Sequence, residues 1–225
     1  MRAAVLVPAA LALTLLAACG GDDGNGESAK KGPQVAADAA KALQDAGAAH
    51  VTGTGTSDGK TVSLDLHLQG TDALGSITQG GVTLQVISVG GKLYAEAPAE
   101  FWTTQGLPAA AGSALAGKWV IVPSDAGSVL PVTLESLAKE LRKPSDGTTV
   151  DDKVTTSTYQ GQKVVVVTSS DKSTVDVAAT GKPYPLHSVS KGTDPGIVTL
   201  TDFGKRTAIT PPVGALDLSQ LAGGN

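Results

Sequence analysis

The sequence predicts an α+β domain: a long antiparallel sheet with a few helices laid on one face. Three observations lead there. One stretch alternates strictly with a period of two, turn signals recur about every ten residues in two separate series, and two helical segments stand outside both series. In TVSLDLHLQ, Val62, Leu64, Leu66 and Leu68 face one way while Ser63, Asp65, His67 and Gln69 face the other, the mark of a half-buried strand. Asp58-Gly59, Gly70, Gly80-Gly81 and Gly90-Gly91 punctuate the first series; Gly161, Asp171-Lys172, Gly181 and Gly192 punctuate the second. Consecutive strands joined by tight hairpins produce that spacing. Parallel strands would need a helix at each crossover, and none is available between these turns.

The elements follow in chain order. Pro33 opens QVAADAAKALQDAGAAH, in which Val35, Ala39, Leu43 and Ala46 share one helical face and Gly47 is a fitting stop. The first meander comes next. After it lies FWTTQGLPAAAGSALAGKWVIVPSD, a Gly/Ala/Pro-rich insert with a short strand expected around Trp119 to Val122. VTLESLAKELRKP then carries Leu134, Leu137, Ala138 and Leu141 as an apolar stripe. Thr133 can cap that helix, Glu135 suits its first turn, Arg142 and Lys143 its last, and Pro144 ends it. The second meander has its strands in KVVVVTS, STVDVAA, YPLHSVS and GIVTLTDF.

The amino terminus, MRAAVLVPAALALTLLAACGGDDGNG, reads as an export signal. Arg2 gives a short positive region, residues 3 to 18 are apolar apart from Thr14, and Ala17-Ala18 precedes Cys19. The run is short for a span, since a membrane helix needs about 20 apolar residues. With one cysteine in 225 residues, no intramolecular disulfide can form. Leu16-Ala17-Ala18-Cys19 resembles a bacterial lipobox, which implies removal of residues 1 to 18, a lipid on the Cys19 sulfur and acylation of the new amino terminus. Two or three acyl chains hold a protein durably on a bilayer where one does not. The expected division is a signal peptide over 1–18, a lipidated flexible tether over 19–32, a folded domain over 33–212 and a tail over 213–225. The expected location is the extracytoplasmic face of the cell membrane.

Composition excludes several functions. The formal charge is −4, and −5 once Arg2 is removed with the signal. Without a Lys/Arg cluster, such a domain is a poor candidate for nucleic acid. Aromatic residues are 3% of the chain, so the core must be built from Val, Leu, Ile and Ala. A monomer is expected, with no cofactor.

Catalytic look-alikes do not survive inspection. Gly55-Thr56-Ser57-Asp58-Gly59 fits G-x-S-x-G, but that elbow works between a strand and a helix, whereas Asp58-Gly59 is a turn between two strands. Gly59-Lys60-Thr61 lacks a glycine at the phosphate-loop spacing and a following helix. Ser63, Asp65 and His67 share a strand face with the carboxylate in the middle, the wrong order for a triad. His50, His67 and His187 are far apart in sequence, and no Cys/His cluster or Ca²⁺ loop is present. Three Ser-x-x-Lys matches, at Ser28, Ser169 and Ser188, lack the companion motifs of penicillin-binding enzymes. The expectation is a protein with no catalytic residue and no metal site.

A resemblance gives the plan more content. A leading helix, GGKLYA closing a hairpin before a Trp-containing loop, a mid-chain amphipathic helix, and the late run YQGQKVVVVTS … GKPYPLHSVS … IVTLTDFGKRTAITPP resemble the LppX/LprG group of actinobacterial lipoproteins over roughly residues 33 to 212. Those proteins share the LolA-like fold. The resemblance implies a sheet curved into an unclosed half-barrel, with helices over its concave face, that holds acyl chains of a lipid or lipoglycan and carries it across the envelope. No catalytic residue belongs to the group. The greasy surface expected to line the groove is Val62, Leu64, Leu66 and Leu68 with Val82, Leu84 and Val86. The same residues read equally as a core packed shut against the two helices. Filling by Leu134, Leu137 and Leu141 would leave no room for a ligand, and the segment Thr103 to Lys118 is the expected lid. The alternative function is a protein-binding scaffold at the envelope, using Trp102 and Trp119 as contact residues.

Overall fold

The computed structural model describes residues 24–57, 59–123, 132–144 and 147–218. Cys19, the signal segment before it and the last residues of the tail lie outside them. The described residues form four helices, α1 (Gly32–Ala46), α2 (Ala99–Thr104), α3 (Ala109–Leu115) and α4 (Leu134–Arg142). They also form twelve strands. The first meander is β1 (Ala48–Ser57), β2 (Lys60–Gln69), β3 (Asp72–Gln79), β4 (Val82–Val89), β5 (Lys92–Glu96) and β6 (Trp119–Val122). The second is β7 (Thr155–Tyr159), β8 (Gln162–Thr168), β9 (Thr174–Ala178), β10 (Pro185–Ser190) and β11 (Gly196–Thr201), and β12 (Leu216–Asp217) follows.

All twelve strands belong to one sheet, in the order β12-β6-β5-β4-β3-β2-β1-β11-β10-β9-β8-β7. Every pairing is antiparallel except β12 on β6. The two meanders meet where β1 pairs with β11, from His50 opposite Thr201 to Gly55 opposite Gly196. The ends of the order, β12 and β7, do not pair with each other, so the sheet is open. This is the α+β plan that the turn spacing predicts.

Period-two alternation decides which face is covered. Ala49 and Val51 of β1, Leu66 and Leu68 of β2, Leu84 and Val86 of β4 and Val120 of β6 are buried in one cluster with Leu43 of α1, Trp102 of α2, Leu115 of α3 and Leu134 and Ala138 of α4. A smaller cluster sets Val35, Ala36 and Ala39 of α1 against Val165 and Val167 of β8 and Val177 of β9. The alanines of α1 let it approach the sheet closely while it also packs along α4, and Gly47 ends it in the left-handed conformation at φ 67°. Thr133 caps α4 as its sequence suggests, its Oγ1 accepting from the Ser136 N–H at 3.0 Å.

The short helices α2 and α3 occupy the insert, which composition describes only as Gly/Ala/Pro-rich. Ordered structure also begins earlier than a polar, Gly-rich tether implies. The Asn25 N–H donates to the Ala179 carbonyl at 2.8 Å and its Nδ2 to the Ala178 carbonyl at 2.8 Å. Lys30 Nζ bridges the buried Glu27 (2.8 Å) and Asp38 of α1 (2.6 Å). At the other end, Leu216 and Leu218 pack against the main cluster, so this part of the tail is docked.

Gly75 in β3 tests the sheet's close approaches. At φ 155°, a Cβ there would fall 2.0 Å from the Asp65 carbonyl oxygen and 2.9 Å from Leu66 Cα, backbone atoms that can yield only if β2 and β3 separate. Gly75→Ala is expected to lower stability by more than about 2 kcal/mol in urea melts. Gly90→Ala, at φ 59° with open space around it, is expected to cost about 1 kcal/mol, the left-handed penalty alone.

Candidate functional site

A cavity of about 670 Å³ lies between the two longer helices and the second half of the sheet. Ligand sites commonly fall within about 300–1,000 Å³. Its roof is Ala36 and Leu43 of α1 with Leu137, Glu140 and Leu141 of α4, continued by Pro144, Thr148 and Val150. Its floor is aliphatic: Val167 of β8, Val175 and Val177 of β9, Pro185 of β10, Val198 and Leu200 of β11. The i, i+2 spacing within each strand aims these side chains to the helix side. Polar lining concentrates toward one end, in Ser169, Asp171 and Ser173 of the β8–β9 turn, Ser188 and Ser190 of β10, and Thr193 and Asp194 of the β10–β11 turn.

The polar groups at the wall are tied to one another. Asp171 accepts from the Ser173 hydroxyl at 2.6 Å and from its N–H at 3.0 Å, and these two bonds, the hydroxyl's first, hold the Asp171 carboxyl below the usual carboxylate range. His187 stands opposite Asp176 and Thr199, which alternate with the floor residues, so its side chain lies on the outer face of the sheet: Nδ1 is 2.9 Å from Asp176 Oδ2, and the ring stacks on Tyr159 with centroids 4.5 Å apart. Among the described residues, no Lys or Arg lines the cavity.

The seven residues expected to form the groove fall elsewhere on the same face. Leu66, Leu68, Leu84 and Val86 are buried in the main cluster, with Leu64 and Val82 partly buried against it. Val62 and Leu64 line a second, smaller recess, and none of the seven lines the large cavity. The physical reason is bulk. Trp102, Leu115 and Leu134 fill the concavity over the first meander, whereas α1 offers the second meander chiefly alanines. Leu137 and Leu141 edge the cavity without closing it, and the segment Thr103 to Lys118 contributes nothing to its lining. The residues of β8 to β11 could have been found from the sequence, since Val175/Val177 and Val198/Leu200 alternate as clearly as β2 does.

Ser57 ends β1 and is followed by a turn into β2, a strand-to-strand hairpin that cannot form a nucleophile elbow. The sheet brings His50 and His67 together as cross-strand partners with rings stacked at 4.4 Å, and His50 Nε2 lies 2.7 Å from Asp65 Oδ1. Among the described residues no group of three or more His, Cys, Asp or Glu could hold a metal ion. Trp102 is 3% exposed in the core and so is not the contact residue that a scaffold would need; Trp119 is half-buried in β6.

The geometry defines an open, helix-covered half-barrel with an aliphatic hollow. The crystal structure of LprF from Mycobacterium bovis has the same fold, with a TM-score of 0.52 at 14% identity, covering 82% of this chain and 100% of that one. The crystal structure of the Mycobacterium tuberculosis lipoprotein LppX aligns with a TM-score of 0.48 at 16% identity, over 79% of this chain and 99% of that one. No family model matches the chain, and no curated protein sequence matches it. The likeness to LprF upholds the LppX/LprG resemblance at the level of the fold.

The Asp171–Ser173 turn can be tested by titration. A carboxyl depressed in the folded state contributes stability above its unfolded value, near 3.8, and loses that contribution as pH falls through the folded value. In a Ser173→Ala variant, ¹³C-detected carboxyl titration is expected to show the Asp171 midpoint rising toward the ordinary value. The remaining bond from the residue-173 N–H keeps part of the depression.

Proposed function

We propose that this protein is an envelope lipoprotein, held at the extracytoplasmic face of the cell membrane through Cys19. It takes acyl chains of a lipid or lipoglycan into the cavity beneath α1 and α4 and carries or presents that lipid. The observation that carries the reading is the cavity itself: about 670 Å³, aliphatic in its floor and over most of its roof, with hydroxyls and the Asp171 and Asp194 carboxylates in the turns at one end. The fold shared with LprF and the lipobox-like segment at Cys19 support it.

The mechanism is partition. Each methylene exposed to water costs about 0.8 kcal/mol, so a chain leaves the bilayer only for another apolar enclosure. Passing from lipid tails to Val, Leu and Pro side chains changes that energy little, which lets loading and unloading both occur. The polar end keeps a headgroup hydrated while the chains are buried. The role is binding rather than catalysis: the floor is aliphatic, and the Asp171 carboxylate at one end is held by Ser173.

Native mass spectrometry of the chain purified gently from a membrane-containing host is the test. A discrete mass excess that falls away on organic extraction is expected, and Val175→Phe, which projects a ring into the floor, is expected to reduce it at least tenfold. A clean apoprotein mass, with no uptake from vesicles, would end the lipid reading.

A further inference from the structure

We propose that the end of the sheet on which Asn25 is docked is the face this protein sets against the bilayer, so that the mouth of the cavity points away from the membrane that holds the anchor. This rests on the reading above that Cys19 carries the anchor. Residues 20 to 24 separate Cys19 from Asn25, and Cα steps of at most about 3.6 Å place Asn25 within roughly 20 Å of the anchored residue. Asn25 is fixed in turn: its N–H donates to the Ala179 carbonyl, and its Nδ2 to the carbonyls of Ala178 at 2.8 Å and Gly181 at 3.2 Å. The carboxyl end of β9 and the turn into β10 are therefore the part of the domain that a short reach holds near the membrane.

The side chains at this end suit a headgroup layer. Tyr184, just before β10, stacks on Phe203, just after β11, with ring centroids 4.1 Å apart, and Lys182 Nζ stands 6.0 Å from the Tyr184 centroid. Both rings are half-buried and Lys182 is exposed. An amphipathic group of this kind keeps its apolar body low and its charge in the headgroups. Lys163, whose carbonyl accepts from the Ala179 N–H, is exposed, as are Lys205 and Arg206 beyond Phe203. Two acids nearby are matched, Asp202 by Lys205 at 2.7 Å and Asp45 by Lys41 at 2.6 Å. Cations outnumber acids in these segments, although the whole chain is negative, and anionic headgroups attract such a surface.

The cavity is closed toward this end and open at the other. Leu43, Val177, Pro185 and Leu200 line it nearest Asn25, and all are buried. Asp171, Gly192, Thr193 and Asp194 line its far end, and all are exposed. Strand β9 runs between the two, and its course from Thr174 to Ala178 is about 13 Å long. To lower the mouth onto the bilayer, the tether would have to run back beside β9 close to full stretch. Nothing in the charge favours that pose: Asp171 and Asp194 are flanked by Lys172 and Lys191, so the mouth offers an anionic surface no surplus of cations.

The test measures which end lies near the headgroups. Cys19 is the only cysteine, and a lipid on its sulfur leaves an introduced cysteine as the one thiol open to labelling. Thr180→Cys, beside Gly181, and Thr193→Cys, at the mouth, are both at exposed positions. Each would be labelled with a small charged fluorophore in the lipidated full chain, reconstituted in phosphatidylcholine–phosphatidylglycerol vesicles that carry nitroxide on their headgroups. Intact mass reports the anchor, and thermal unfolding the fold. Quenching at residue 180 is expected to exceed that at residue 193 at least about twofold, since β9 alone sets the two sites about 13 Å apart. Equal quenching would overturn the proposal and leave the anchor standing, with a domain that has no preferred face. Stronger quenching at residue 193 would overturn it in favour of a mouth held against the membrane. If Thr180→Cys unfolds, Lys182→Cys takes its place, with the same order expected and the same two results against it. An intact mass showing Cys19 unmodified would remove the anchor, and the proposal with it.

Discussion

The pairing of β1 with β11 is the contact on which the rest of the molecule depends. It sets residue 50 beside residue 201 and turns two meanders, each with one apolar face, into a single curved sheet with one concave side. Helices α1 and α4 then have a common surface to cover, filled over the first meander and left hollow over the second. Contacts between such distant parts of a chain are slow to form, because loop closure must precede their reward. The local hairpins can form early; the single twelve-stranded sheet can appear only when this seam closes.

The concave side is divided by the size of what projects into it. Over the first meander, Trp102 and Leu115 arrive from α2 and α3 and fill the space down to the sheet. Over the second, α1 presents Val35, Ala36 and Ala39, and the floor is valine and proline. A chain with so few aromatic residues has little with which to fill both halves. The packed half and the empty half therefore have the same backbone architecture and differ in side-chain volume.

The parts of the fold with a strong periodic signal were legible. TVSLDLHLQ announced β2, Thr133 and the leucine stripe announced α4, and the glycine pairs announced the hairpins. What was illegible lacked periodicity or depended on tertiary partners. Helices α2 and α3 are 6 and 7 residues long, too short for a 3.6-residue pattern to show among alanines. In β7, TTSTY offers no apolar alternation. Residues 25 to 31 are polar and read as a tether, yet they are held by the backbone carbonyls of Ala178 and Ala179 and by the Lys30 bridge, partners no local pattern reveals. The site was half legible. The apolar face was visible, but which part of it stays uncovered depends on Trp102 and Leu115, whose direction is set only by the folded insert.

An open sheet of this length has two exposed margins, and their construction has a consequence for how the molecule meets its own kind. One margin is β12, only two residues long and laid parallel on β6. The other is β7, whose TTSTY side chains are mostly exposed hydroxyls. Neither presents a long, flat, greasy backbone onto which another strand could zip. The described residues therefore form a half-barrel whose curvature is not closed upon itself, and the helix-covered hollow is bounded by short or hydroxyl-rich margins rather than by a further strand.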